Sequence, residues 1–278
     1  MTPALAPILS HLRDKPSRTW SLIITFYGDA VVPRGGAVWL GTLLAFFQAL
    51  DIGEGVVRTA MSRLAADGWL ERTRVGRNSF YRLRAKGRAP FEAAARRIYS
   101  ARPEPWQGFF ELLLPEQADR ATMQQAGCGA IAPGVWLAPR PVTIAGLRLR
   151  AEGDGPTLHT LAARAWPLAE LGGAYAGFVA TFTPLRDALR AGATLCPIDA
   201  MAARVLLIHE YRRIVLRDPL LPALVLPQGW PGDAARTLCA EVYRAILPPS
   251  ETWLDANAVG EAGTPLPANK LIFNRFSN

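Results

Sequence analysis

Histidine and cysteine are scarce in this 278-residue chain, with three of each, and their scarcity narrows the chemistry open to it. Cys128, Cys196 and Cys239 are odd in number and scattered over the back half, so no disulfide framework is expected. Buried thiols in a reducing, cytoplasmic compartment are the natural reading. The histidines His11, His159 and His209 are far apart, and none neighbours a cysteine pair. His209-Glu210 begins a zinc-protease pattern, but Arg213 stands where the second histidine would be, so neither a metal nor a cofactor is expected. No stretch approaches the ~20 uninterrupted apolar residues that span a bilayer. The start, Met1 to Lys15, carries Pro3 and Pro7 and lacks a charged segment before a long apolar run, which argues against a signal peptide. A serine nucleophile elbow is missing, and Gly260 to Lys270 lacks the Gly-Lys-Ser/Thr ending of a phosphate loop.

Acidic residues are what the first hundred positions have little of. There, 15 Lys or Arg face 7 Asp or Glu, whereas residues 101–278 hold 16 of each. The formal charge of +8 is thus confined to the front of the chain. A basic block of this kind suits a polyanion with grooves, and double-stranded DNA fits best. With 50% hydrophobic residues the chain can bury a substantial core, and its length suits two or three domains.

Within the basic block, Val57, Ala60, Met61 and Leu64 recur at the spacing of one buried helical stripe between Glu54 and Asp67. Gly55, Arg58, Thr59 and Ser62 form the opposite, polar stripe, with Arg63 beside it. Gly53 suits the N-cap and Gly68 the C-terminal stop. Trp69 to Val75 and Asn78 to Leu83 then alternate around Gly76-Arg77, a pair suited to a type II′ hairpin turn. Arg72, Arg74, Arg77, Arg82 and Asn78 make this hairpin basic. A helix ended by glycine and followed at once by such a hairpin is how a winged helix-turn-helix is assembled. Two supporting helices are expected upstream. The first is capped by Ser17, buries Trp20, Ile23, Ile24 and Tyr27 and stops at Gly28; the second runs from Trp39 to Leu50 on Leu40, Leu43, Leu44 and Phe47. Asp29 to Gly36 connects them.

The runs WSLIITFYGDAVVPRGGAVWLGTLL and VVRTAMSRLAADGWLERTRVGRNSFYRL resemble the N-terminal domain of the PaaX-type regulators, repressors of phenylacetic acid catabolism. LCPIDAMAARVLLIHEYRRIVLRDPLLPALVLPQGWPG resembles the C-terminal signature of the same family. The resemblance implies an α+β protein with an N-terminal winged helix-turn-helix, a central ferredoxin-like (Cas2-like) domain and a helical C-terminal domain. It also implies a homodimer on a palindromic operator and release by an aryl-coenzyme A thioester, phenylacetyl-coenzyme A first among them.

The chain divides accordingly. A helix from Pro90 to Tyr99 is broken by Arg102-Pro103-Glu104-Pro105, so residues 1–100 are assigned to the DNA-binding domain. Residues 101–167 form the central domain, with strands at Trp106 to Leu114, Val135 to Ala138 and Leu147 to Ala151 and a helix at Ala118 to Ala126. Residues 168–278 form an effector and dimerisation domain. Its helices are a stripe of Leu171, Ala174, Tyr175, Phe178 and Phe182, then Pro197 to Asp218, then Asp233 to Ile246 stopped by Pro248-Pro249. The tail from Asp255 is expected to be loosely held or to lie along a neighbour.

In Pro197 to Asp218, His209 and Arg212 share a face with Ala202, Val205 and Leu216, which draws Arg212 inward. One reading pairs it with a buried carboxylate; the other makes it a phosphate or carboxylate clamp. For a thioester effector, Arg140, Arg204, Arg212 and Arg213 would meet phosphates, with His209 alongside, and Trp136 and Trp230 would supply aromatic walls. Two other functions are weighed. A metal-dependent nuclease or other enzyme on the Cas2-like domain needs clustered carboxylates, and the central strand offers only Glu111, read as solvated. A purely DNA-bending protein leaves the large neutral back half without a task.

Overall fold

The computed structural model describes residues 5–6, 8–10, 18–99, 106–117 and 119–277. The chain is mixed α and β, with two antiparallel sheets, and packs as two compact units. Unit 1 comprises residues 1–100, 178–213 and 234–278, and unit 2 comprises residues 101–177 and 214–233. These units cut across the three consecutive segments expected from the sequence.

Unit 1 opens with helix α1, Thr19–Phe26, in which Leu22, Ile23 and Phe26 are buried. Trp20, expected in that stripe, is 38% exposed. Gly28 does not stop the helix, which passes into a π-helical turn at Tyr27–Val31 and a 3₁₀ turn at Val32–Arg34. A Cβ at Gly28 would lie 3.2 Å from the Phe91 ring, so this glycine serves a close approach of another helix. The break comes at Gly35 and Gly36, both at positive φ. The Ser17 cap lies outside the described residues. Strand β1, Ala37–Trp39, precedes helix α2, Leu40–Gln48, which buries Leu40, Leu43, Phe46 and Phe47. Phe46 stacks obliquely on Phe26 at 4.8 Å and meets Trp253 edge-on at 5.8 Å.

Helix α3, Glu54–Ala66, follows with Gly53 at its N-cap and Val57, Met61 and Leu64 buried. Its end is a Schellman turn. Gly68 at φ +71° lets its N–H reach Ala65 O at 3.0 Å while the Trp69 N–H reaches Leu64 O at 2.9 Å. Strands β2, Leu70–Val75, and β3, Asn78–Leu83, pair in register from Leu70↔Leu83 to Val75↔Asn78. The two-residue turn has Gly76 at φ +58°, and Arg77 is not among the positive-φ residues, as a type II′ turn requires. Strand β1 pairs with the other edge of β3, giving the order β1-β3-β2. Helix α4, Ala85–Tyr99, starts before the expected Pro90 and carries that proline inside it.

Unit 2 holds strands β4, Phe110–Pro115; β5, Gly129–Ala132; β6, Val135–Ala138; and β7, Gly146–Ala151, in the order β5-β6-β4-β7. Alternation along the central strands sends side chains to both faces. Phe110 and Leu137 pack with Leu158, Ala162 and Trp166, whereas Leu113, Trp136 and Ala138 pack with Met123 and Cys128. Met123 comes from helix α5, Arg120–Gln125, and Leu158 from helix α6, Gly155–Ala165. A loop joins β6 to β7, and α6 follows the fourth strand instead of preceding it. Strand β4 begins four residues later than the sequence suggests. Glu111 is half-buried beside Arg148 at 3.8 Å, not solvated.

The remaining helices are α7, Leu168–Arg190; α8, Pro197–Val215; and α9, Gly232–Asn257. α8 is buried on every side from Ala200 to Ile208, the state of a helix lying inside a core. α9 continues through Pro248 and Pro249, which were expected to end it. Each proline removes one N–H bond, but Leu247, Ser250, Trp253 and Leu254 on either side are buried, and their packing holds the helical path. The tail is not loose. Ile272 and Phe276 are buried, and the Phe276 N–H bonds Tyr99 O at 3.1 Å. Cys128 and Cys239 are buried thiols, whereas Cys196 is exposed, contrary to expectation.

Candidate functional site

All eight residues proposed for DNA reading are exposed. On α3, Arg58 donates to Glu54 at 3.2 Å, and the Thr59 hydroxyl is turned back on Gly55 O at 2.8 Å. Ser62 and Arg63 lie on the same open side, and Arg63 stands 3.9 Å from Asp67. On the hairpin, Arg72 donates to Ser79 Oγ at 2.8 Å, while Arg74, Arg77 and Asn78 reach solvent toward the tip. Arg82, further back, is engaged by Glu261. The structure therefore presents one stripe of α3 and one basic hairpin outward from a shared apolar support.

The seven residues proposed for an effector divide between the two units. Trp136, Arg140 and Trp230 belong to unit 2, and Arg204, His209, Arg212 and Arg213 to unit 1. Trp136 is a core residue of the sheet, and Trp230 packs edge-on to Tyr175 at 5.9 Å. Arg140 borders a cavity of about 40 Å³ and donates to Pro219 O at 3.4 Å. Arg204 is fully buried; its Nε bonds Asp29 and its Nη1 bonds Glu251 and Ser250. It is a core ion pair that leaves a ligand no access. His209 is buried, with Nδ1 3.0 Å from the Thr25 hydroxyl. Burial, then Arg212 and Arg213, push its pKa down to about 3, so it is neutral at physiological pH. Arg213 is exposed and pairs with Glu210 at 3.2 Å. Among the described residues, Arg212 donates to Ser21 O at 3.1 Å and to Ser21 Oγ at 2.8 Å and to no carboxylate. Its Nε is buried without a partner. Burial and Arg213 hold its pKa below the usual arginine value.

Sequence reasoning missed the polar centre of unit 1. Asp29, on the π-helical turn, is fully buried and accepts from Arg204, from Arg275 Nη1 at 2.7 Å, from the Tyr99 hydroxyl at 2.6 Å and from the Tyr243 hydroxyl at 3.0 Å. Burial alone would raise its pKa; Arg204 and Arg275, with the two tyrosine bonds, outweigh that and hold it below the carboxylate range. Glu251 joins Arg204 to Arg34, which reaches Asp255 at 2.7 Å. Three guanidinium groups and three carboxylates thus lace together α8, α9, the turn after α1 and the tail. No local pattern marks Asp29 for this role, because its partners lie at least seventy positions away.

Among the described residues, no three His, Cys, Asp or Glu side chains gather as a metal group, and no helix is long and apolar enough to cross a membrane. An exposed basic helix and hairpin on a packed support is the layout of a transcriptional regulator. Residues 18–87 match the family described as PaaX-like protein, and residues 166–256 match PaaX-like protein C-terminal domain. The chain is 37% identical over 284 residues to the Transcriptional repressor PaaX of Escherichia coli (strain K12), covering 92% of this chain and 89% of that relative. It belongs to the PaaX family, whose members are regulators and not enzymes. In fold it is similar to the solved structure of the uncharacterized protein Rv0674 from Mycobacterium tuberculosis. The TM-score is 0.50 at 23% identity, over 76% of this chain and 89% of that one.

Proposed function

We propose that this protein is a ligand-responsive transcriptional repressor that works in the cytoplasm on operator DNA of an aromatic-acid catabolic operon, phenylacetate being the leading case. The observation that carries the reading is the continuity of the outward stripe of α3 with the basic hairpin β2–β3. On this reading α2, α3 and the hairpin form a winged helix-turn-helix. Arg58, Thr59, Ser62 and Arg63 face base edges in the major groove, and Arg72, Arg74, Arg77 and Asn78 meet phosphates or the minor groove. The sheet of unit 2 is assigned to the ferredoxin-like class, since its strand order and antiparallel neighbours suit that class. The loop between β6 and β7, in place of the second crossover helix, is a departure from it.

One such head reads a half-site, so two copies are assigned to a palindromic operator. The edge strand β7 is the surface that we assign to self-association, because Leu147 and Leu149 are 60% and 51% exposed on it. The relative's name, a transcriptional repressor, supports the regulatory role. The effector is an aryl-coenzyme A thioester, for which Arg212 and Arg213 are the residues we retain among the seven. Release follows if the ligand prefers the DNA-free state, in which case operator DNA weakens ligand binding by the same factor. The test is an anisotropy titration of promoter DNA. Micromolar phenylacetyl-coenzyme A should dissociate the complex, while phenylacetate and free coenzyme A should not. Operator affinity unmoved by the thioester would remove the effector from the proposal.

A further inference from the structure

Unit 1 contains an apolar cavity of about 320 Å³, open to solvent on one side. Trp20 of α1, Leu64 of α3, Trp69 at the entry to the hairpin, Phe91 and Ala94 of α4, and Arg212 of α8 are among its walls. The two tryptophans are each 38% exposed, although large aromatic side chains in a finished core are normally covered. The volume lies in the range of small-molecule pockets, roughly 300–1,000 Å³. It is large enough for an aromatic ring with a short substituent.

Polar chemistry in this cavity is sparse and one-sided. Asp29 borders it, but its carboxylate oxygens are held by the Arg204 and Arg275 guanidinium groups and two tyrosine hydroxyls. Arg212 brings a guanidinium whose Nη2 is held by Ser21 and whose buried Nε lacks an acceptor. A buried N–H of this kind is satisfied by one ligand oxygen, and the cationic group favours a carboxylate or a polarised carbonyl. We infer that this cavity is an effector site for an aryl group carrying one carboxylate or acyl carbonyl oxygen, with the ring among Trp20, Trp69 and Phe91 and the oxygen accepting from Arg212.

The position gives such a ligand a direct hold on the reading head. Leu64 and Trp69 are the two ends of the Schellman bond that closes α3 and launches β2. Occupancy therefore acts on the angle between the reading helix and the hairpin without a long relay. The regulatory half of this inference rests on the proposed repressor function; the binding site stands on the cavity alone.

Isothermal calorimetry on the full chain tests it with two probes, phenylacetate and S-ethyl phenylthioacetate, which separate a free acid from an acyl thioester. At least one should bind saturably. Ala94→Phe and the milder Ala94→Leu should each weaken that binding at least tenfold by filling the cavity, and Arg212→Met should do so by removing the donor, with the helical circular dichroism of all three retained. No binding of either probe to the wild type, or equal binding to a folded Ala94→Leu, overturns the site. Cavity-filling variants that alter only the oligomeric mass, with no probe bound by the wild type, would give the cavity to a second copy and also overturn it. Probes that bind as expected, with operator affinity unmoved by phenylacetyl-coenzyme A, leave the site standing and remove the ligand-release reading. Release by phenylacetyl-coenzyme A that is undiminished in the filled variants does the reverse.

Discussion

His209 and Arg204 lie about 1.4 turns apart on α8, and both are buried; burial works to lower the pKa of each, yet their net shifts are opposite. His209 has its pKa pushed down from 6.5 to about 3, chiefly by burial and then by Arg212 and Arg213. The unfolded chain therefore takes up this proton first as pH falls. Its contribution to stability is complete above pH 6.5 and is lost progressively down to about pH 3. From pH 7 to pH 5 this single group should destabilise the fold by about 2 kcal/mol. His209→Asn, which cannot titrate, should flatten the dependence of the urea midpoint over that range; an unchanged slope would assign it elsewhere. Arg204 instead keeps its charge, because Asp29 and Glu251 raise its pKa against the opposing effect of burial. Arg204→Met should cost about 3–5 kcal/mol by leaving buried carboxylates uncompensated. A loss under about 1 kcal/mol on denaturant unfolding would show that Arg34 and Arg275 suffice without it.

At the scale of elements, α3 and the hairpin were legible because their limits are local. Gly53, Gly68 and Gly76 sit where the backbone needs a cap or a positive φ, and no distant contact is required to choose those positions. The proposed division of labour between the two elements is separable by mutation. Arg58→Ala should reduce discrimination between operator and random DNA by about 1–3 kcal/mol, the free protein losing only an exposed ion pair with Glu54. Arg77→Ala should weaken both DNAs alike and lower the salt slope by about one. Equal losses on both sequences for Arg58→Ala would refute its role in base reading. The supporting helix α1 was less legible. Its apolar residues occupy more than one face, and the choice of Leu22 and Phe26 as core, with Trp20 and Ile24 left to the cavity, depends on what packs around it.

For the molecule as a whole, the proposed dimer sets the arithmetic of recognition. Two heads reading half-sites about one helical turn or a multiple of it apart require a pair of chains. Sedimentation at micromolar concentration should give twice the chain mass, and Leu149→Arg on the edge of β7 should shift it toward the single chain. A monomeric mass both free and on operator DNA would contradict the dimer.

The sequence by itself determined the confinement of positive charge to the first hundred residues, the helix-and-hairpin head with its glycine punctuation, and the resemblance to the PaaX family. Each is either a matter of composition or is settled within a few residues by φ, capping or alternation. Only the tertiary structure decided the rest. It carried α9 through two prolines, set Phe276 in an aromatic cluster with Tyr99 and Tyr243, and placed Asp29 between Arg204 and Arg275. It also put Arg204 and His209 in the core, out of a ligand's reach, and left Arg212 at the wall of a cavity. These outcomes depend on pairs 175 and 246 positions apart. A buried charge takes whichever partner the fold brings within hydrogen-bond distance, and that choice is invisible until the chain has closed on itself.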